Sequence, residues 1–114
     1  MRHEAAKYLF DIQRAVTLIA GFCAAKTFDE YRADDLLKSG VERQFMIVGE
    51  ALSHIARVAP EVAERIAAFR QIIAFRNILV HGYATVDDKI VWGVVETRLP
   101  PLRESVDALL DECQ

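Results

Sequence analysis

The sequence has few cysteines and no long apolar run. Its two cysteines, Cys23 and Cys113, are ninety positions apart and form neither a CxxC pair nor a zinc-ligand spacing. No apolar segment approaches the roughly 20 residues that a membrane-spanning helix needs. Residues 1–7 run into an amphipathic pattern and lack the apolar core of a signal peptide. We therefore expect a soluble protein of the reducing cytoplasm, with no membrane partner.

Several catalytic motifs are also missing. The sequence contains no glycine-rich phosphate loop, and none of its serines has the context of a nucleophile elbow. Its three histidines, His3, His54 and His81, have no carboxylate or cysteine partners at metal-ligand spacing. We therefore expect neither a metal ion nor another cofactor.

The composition is typical of one folded domain, residues 1–114, with 53% hydrophobic and 27% charged residues. The net charge of −3 argues against a protein that coats nucleic acid through bulk electrostatics. A local cluster of arginines can still bind RNA within an acidic surface, and the ten arginines outnumber the four lysines. Arginine suits planar pairing with carboxylates or phosphates.

Apolar residues recur every three or four positions, and the alternation typical of strands is missing. Long helices are predicted over about residues 2–25, 34–58, 60–81 and 87–109, the third of them as one helix or as a kinked pair of helices. The string TFDE at residues 27–30 is a capping box that opens a short helix or turn. The predicted fold is all-α: a compact, mostly antiparallel helical bundle of four long helices plus a short one.

Proline, glycine and aspartate mark the predicted helix ends. Pro60 suits the first position of the third long helix, and Gly82 is a natural terminator for it. Asp87 or Asp88 can cap the last long helix. A Pro-Pro pair at residues 100–101 should kink or split that helix.

The segment RNILVHGY at residues 76–83 holds a guanidinium, a carboxamide, an imidazole and a phenol among three apolar side chains. Arginine is rarely buried without a partner, so Arg76, Asn77 and His81 either line a cleft or belong to a polar network. In the simpler alternative, Arg76 pairs with a carboxylate and His81 hydrogen-bonds a carbonyl at the helix end. In that alternative Tyr83 caps the helix end or packs against it.

The positions of these residues around the helix favour a shared groove. Arg76 and His81 are about 140° apart on an ideal helix, whereas Asn77 and His81 share one face. Arg76 and His81 therefore converge most easily in a groove formed with another helix or another subunit. A two-fold dimer through this helix brings two copies of each residue into one cleft.

A second row of residues, Arg43, Ile47, Glu50 and His54, follows one face of the second long helix. Such a row is usually a solvated surface. The neighbours of Glu50 are strongly apolar, however, and a carboxylate among them needs a partner. Pairing of Glu50 with Arg43 or with Arg76 would fix an arginine for use in a cleft.

These residues resemble a known family. The string at 76–83 resembles the RX4HXY motif of HEPN-domain proteins, specifically the HepT-like toxins. Residues 43–51, with the core Ile-Val-Gly-Glu-Ala, resemble the second-helix signature of that family. Residues 91–92 and 99–102 resemble its last helix, so the likeness covers about residues 5–110.

The resemblance implies a single HEPN-like domain that forms an all-α homodimer and acts as a metal-independent endoribonuclease, the toxin of a type VII-like toxin–antitoxin system. By position, Arg76 and His81 would be catalytic and Asn77 would support them. Arg43 and Glu50 match the second-helix signature as further supporting residues. The expected substrate is RNA rather than DNA.

The resemblance also implies a partner. The cognate antitoxin would be an MntA-like nucleotidyltransferase that adenylylates Tyr83, and the dimer would form a higher assembly with it. A nucleotide on Tyr83 would lie two residues from His81 and block RNA by its size and negative charge.

The residue types suit RNA cleavage in their own right. RNA carries its own nucleophile, the 2′-OH, and histidine can take or give a proton near neutral pH. Arginine can hold the phosphate and stabilise the charge that grows on its oxygens. The predicted products are a 2′,3′-cyclic phosphate and a 5′-hydroxyl.

Two alternatives use the same residues differently. In the first, the chain is a non-catalytic helical partner subunit of a minimal nucleotidyltransferase and binds nucleotide or phosphate in the cleft. In the second, it is a purely structural helical dimer.

Overall fold

The computed structural model describes residues 3–113, which form seven α-helices and contain no strand. The helices are α1 His3–Cys23, α2 Phe28–Ala33, α3 Asp35–Val58, α4 Pro60–Ala63, α5 Phe69–His81, α6 Asp88–Thr97 and α7 Leu99–Asp111, with a 3-10 turn at Tyr83–Thr85. The all-α prediction is confirmed. The expected number, four long helices plus a short one, is wrong. The predicted start of the first helix, at residue 2, lies outside the described residues.

Most helix ends follow the local sequence signals. The capping box before α2 is confirmed, because Thr27 Oγ1 accepts a hydrogen bond from the Glu30 N–H and the Glu30 carboxylate accepts one from the Thr27 N–H. Pro60 is the first residue of α4, and the Asp87 carboxylate caps α6. Gly82 ends α5 without a left-handed backbone.

The extra helices arise because two predicted long helices are each divided. Between α4 and α5 the chain leaves the helix over residues 64–68, and Ala68 takes the left-handed conformation with φ 58°. The last helix is divided at Arg98, as the Pro-Pro pair predicted. Pro100 and Pro101 then occupy the first turn of α7, where their missing N–H groups are tolerated.

Helix α3 lies at the centre of the fold. It packs against α1 and α5 and also contacts α2 and α4, while α7 packs on α1 and α6 contacts α2 and α7. The largest fully buried side chains come from α1, α2, α3, α5 and α7 and include Leu9, Ile12, Tyr31, Phe45, Leu52, Ile72, Leu79 and Leu102. Burial of this apolar surface is the main force that holds α1 and α5 against α3. Within residues 3–113 no helix is both long enough and apolar enough to cross a membrane.

Candidate active site

A cleft of about 420 Å³ opens where α1, α3 and α5 meet. This volume is within the range of about 300–1,000 Å³ that is usual for ligand sites. The polar residues that line the cleft are Tyr8, Asp11, Arg43, Glu50, His54 and Arg76. The other lining residues are apolar and belong to α3 and α5.

Arg76 on α5 is held in this cleft by two acceptors. Its Nη2 donates to Glu50 Oε2 at 2.8 Å, and its Nη1 donates to Asn77 Oδ1 at 3.0 Å. The arginine that pairs with the Glu50 carboxylate is therefore Arg76. The sequence had left open whether it would be Arg43 or Arg76. About a quarter of the Arg76 side chain (26%) is exposed, so the guanidinium is oriented by the protein and still accessible.

Helices α3 and α5 approach each other most closely at Gly49. A Cβ atom built on Gly49 would lie 2.2 Å from the Cβ and 2.5 Å from the Cγ of Arg76. Only glycine, which has no Cβ, provides the space that the first two side-chain carbons of Arg76 occupy against α3. The sequence places Gly49 directly before Glu50, so the close approach and the carboxylate partner come from adjacent residues.

His54 adds a second contact to Glu50. Its Nε2 lies 3.2 Å from Glu50 Oε1, and its ring stacks on Tyr8 of α1 with centroids 4.8 Å apart and planes 7° apart. Arg57 Nη2 contacts the other ring nitrogen, Nδ1. The sequence pattern put His54 in the row with Glu50 but indicated no role for it, and the contribution of Tyr8 was missed.

Arg43 lies on α3 two turns before Glu50, about 10 Å along the helix axis. Its side chain is exposed and lines the cleft, and it makes no ion pair with any residue in 3–113. Arg43 thus supplies a second, unpaired cation to the cleft.

His81 and Tyr83 lie outside the cleft lining of the single chain. His81 is the last residue of α5 and is exposed, and Tyr83 in the 3-10 turn is 79% exposed. Across the described residues, neither side chain has a hydrogen-bond partner, so the expected bond from His81 to a carbonyl is not formed. One chain therefore brings Arg76, Glu50 and Asn77 together and leaves His81 apart.

The described residues contain no group of three or more histidine, cysteine, aspartate or glutamate side chains that could hold a metal ion. The cleft itself presents an oriented guanidinium beside a carboxylate, an imidazole and a phenol.

The fold and this cleft define an all-α protein with a fixed arginine and a free helix-terminal histidine. The family model described as "Ribonuclease HepT-like" matches residues 12–109. The chain belongs to the HepT-like ribonuclease family, and the family resemblance drawn from residues 76–83 is confirmed.

Two similar proteins come from archaea. The "Probable ribonuclease HepT" of Thermococcus cleftensis is 29% identical over 113 residues, which cover 96% of this chain and 98% of that protein. The "Gamma-glutamylcyclotransferase and putative RNase" of Methanocaldococcus jannaschii is 29% identical over 112 residues. These cover 98% of this chain and 50% of that protein, so the chain spans about half the length of that relative. No solved structure matches the chain significantly.

Proposed function

We propose that this protein is a metal-independent endoribonuclease in which Arg76 binds and stabilises the scissile phosphate and His81 transfers protons. The observation that carries the proposal is the fixed Arg76 in an open cleft, in a chain of the HepT-like ribonuclease family. A guanidinium held before substrate arrives loses little freedom in the transition state, which is how preorganised charge accelerates a reaction.

The proposed reaction starts with attack of the RNA 2′-OH on the adjacent phosphorus. His81 removes the proton from the 2′-OH, and the departing 5′-oxygen takes a proton from water. The products are a 2′,3′-cyclic phosphate and a 5′-hydroxyl. His81 is suited to this exchange because its ring is exposed and bound to no residue in the described part of the chain.

The test is cleavage of structured and unstructured RNA in EDTA by protein that mass spectrometry shows to be unmodified. His81→Ala and Arg76→Ala should each lose activity, by about 10²-fold or more for a group that acts in the transition state. Arg70→Ala is the matched control for Arg76, because Arg70 lies on the same helix and pairs instead with the exposed Glu64. An RNA with a 2′-deoxy scissile nucleotide should resist cleavage.

Cleavage to cyclic phosphates by parent and control only would support the ribonuclease. If unmodified parent cuts no RNA but binds nucleotide or phosphate in an Arg76-dependent way, the partner-subunit alternative is correct. Equal cleavage by all variants would mean that the proposed site is wrong.

The active form that we propose is a homodimer with α5 at its interface. Ile78 and Val80, between the two proposed catalytic residues, are apolar and exposed, at 52% and 36%, and a second copy would cover them. The dimer would also bring the partner's His81 toward Arg76, whereas within one chain His81 does not line the cleft that holds Arg76.

Mixing two inactive variants tests this arrangement. A dimer of one Arg76→Ala chain and one His81→Ala chain contains one intact composite site if each site takes its arginine and histidine from different chains. Random exchange makes half of the dimers mixed, so about a quarter of parental activity should return. No recovery, with subunit exchange verified by mass, would exclude the shared site.

We also propose that the protein is the toxin of a type VII-like toxin–antitoxin pair, silenced by nucleotidylation of Tyr83. The phenol is exposed and two residues from His81, which favours both access by a nucleotidyltransferase and block of the site. Expression should arrest growth, and co-expression with a cognate MntA-like nucleotidyltransferase should relieve it. The parent should then gain nucleotidyl mass, whereas Tyr83→Phe should gain none and stay toxic.

A further inference from the structure

His54 is bound by protein groups on both ring nitrogens. Arg57 Nη2 contacts Nδ1, and Nε2 lies 3.2 Å from Glu50 Oε1. Stacking on Tyr8 fixes the plane of the ring, so the position of the imidazole is defined by three neighbouring side chains.

The effect of His54 on Glu50 is to immobilise a half-exposed carboxylate. Glu50 keeps 51% of its side chain exposed, and a glutamate in that setting rotates freely unless it is held. One of its oxygens lies 3.2 Å from His54 Nε2, and the other accepts a hydrogen bond from Arg76. The three side chains form a continuous line from the α1 side of the cleft to α5.

We propose that His54 is a positioning residue for Arg76, acting through Glu50. This inference rests on the proposed ribonuclease function for its effect on catalysis. His54 differs in role from His81, because both of its ring nitrogens face protein groups, whereas His81 is bound to no residue in 3–113. Its task is to keep Glu50, and hence the guanidinium of Arg76, in one orientation before RNA binds.

The first experiment reads the motion of Arg76 by NMR and needs no RNA cleavage. The Arg76 Nε–H is buried, so its signal, assigned with Arg76→Lys, should exchange slowly with water. His54→Phe keeps a ring to stack on Tyr8 but cannot donate to Glu50. This variant should exchange the Nε hydrogen about tenfold faster or more, the change expected for loss of one charge-assisted hydrogen bond. Unchanged exchange would overturn the proposal.

The second experiment separates positioning from general stability. His54→Phe should lower kcat about tenfold with little change in KM, and His54→Gln, whose amide can still donate to Glu50, should recover most of the loss. In a Glu50→Gln background, His54→Phe should cost almost nothing further, since the two act in one line. His3→Phe, an exposed histidine at the start of α1, is the matched control.

The two experiments distinguish the possible failures. If parent protein cuts no RNA, the proposed function fails and the NMR result alone decides the role of His54. If RNA is cut and His54→Phe retains both slow Nε–H exchange and full kcat, the positioning role is wrong while the ribonuclease stands. If His54→Phe lowers kcat by the same factor in the Glu50→Gln background, the positioning role is also wrong.

Discussion

Replacement of Gly49 by alanine should push α3 and α5 apart. The added methyl carbon would lie 2.2 Å from Arg76 Cβ, about 1.3 Å short of the 3.5 Å at which two carbon atoms attract. Rotation of the Arg76 side chain cannot relieve this contact, because its Cβ is fixed to the backbone of α5. One helix must therefore shift or tilt.

Two opposing terms set the size of the effect. Alanine is favoured over glycine inside a helix by about 0.8–1 kcal/mol, and overpacking a well-packed contact costs about 1–3 kcal/mol. Gly93→Ala isolates the first term, since Gly93 lies inside α6 and nothing is within 4 Å of a Cβ built there. The free energy of unfolding of Gly49→Ala should thus fall below that of Gly93→Ala by about 1–3 kcal/mol.

Urea unfolding at one protein concentration measures this difference. In an Arg76→Gly background, where the blocking Cβ is gone, Gly49→Ala should lose its excess cost. The rate of RNA cleavage by the folded Gly49→Ala protein should also fall, because a shift of about 1 Å in a catalytic group can reduce the rate about 10²-fold. Equal stabilisation by Gly49→Ala and Gly93→Ala would refute the reasoning, as would a cost that persists beside Arg76→Gly.

Three further changes test other contacts. Burial, and then the charge of Asp88, raises the pKa of Glu42. The folded protein therefore favours the protonated carboxyl, which contributes to stability fully below the ordinary pKa of glutamate. That contribution is lost as the pH rises through the raised pKa. Glu42→Gln should therefore be more stable than parent at neutral pH and lose that advantage near about pH 4 in urea unfolding; parallel pH profiles would contradict this. Tyr31 is fully buried, and its phenol oxygen has no hydrogen-bond partner in the described structure; Tyr31→Phe should unfold at equal or higher urea, with a gain of up to about 1 kcal/mol, and a clear loss would speak against it. Asn77→Ala removes one of two acceptors of Arg76 and should reduce kcat less than loss of its carboxylate partner; a larger reduction would give the amide a direct role.

The sequence predicted those features that depend on neighbouring residues. The capping box at Thr27, the helix start at Pro60 and the cap at Asp87 are local patterns, and each forms as expected. A kinked pair of helices was one prediction for residues 60–81, but the position of the gap before α5 was not predicted, because residues 64–68 contain neither glycine nor proline. Ala68 is a good helix former that tertiary packing holds in a left-handed conformation.

The site was predictable in its residues and not in its connections. Glu50 and Arg76 are 26 positions apart, and the sequence could name both while leaving the pairing open. The stack of Tyr8 on His54 depends on how α1 and α3 are aligned, which periodicity within each helix does not determine. The close approach at Gly49 likewise becomes visible only when α5 is placed beside it.

Three residues within two turns of α3 account for the state of the proposed phosphate-binding arginine. Gly49 admits the Arg76 side chain, Glu50 binds its guanidinium, and His54 holds Glu50. These three contacts restrict the motion of Arg76. His81, in contrast, is exposed at the end of α5 and has no hydrogen-bond partner within residues 3–113. A group that stabilises charge gains from being fixed in advance, whereas a group that exchanges protons needs a nitrogen open to substrate. We therefore propose that His54 fixes the arginine and His81 exchanges protons. A second copy of the chain would bring its His81 to the fixed Arg76.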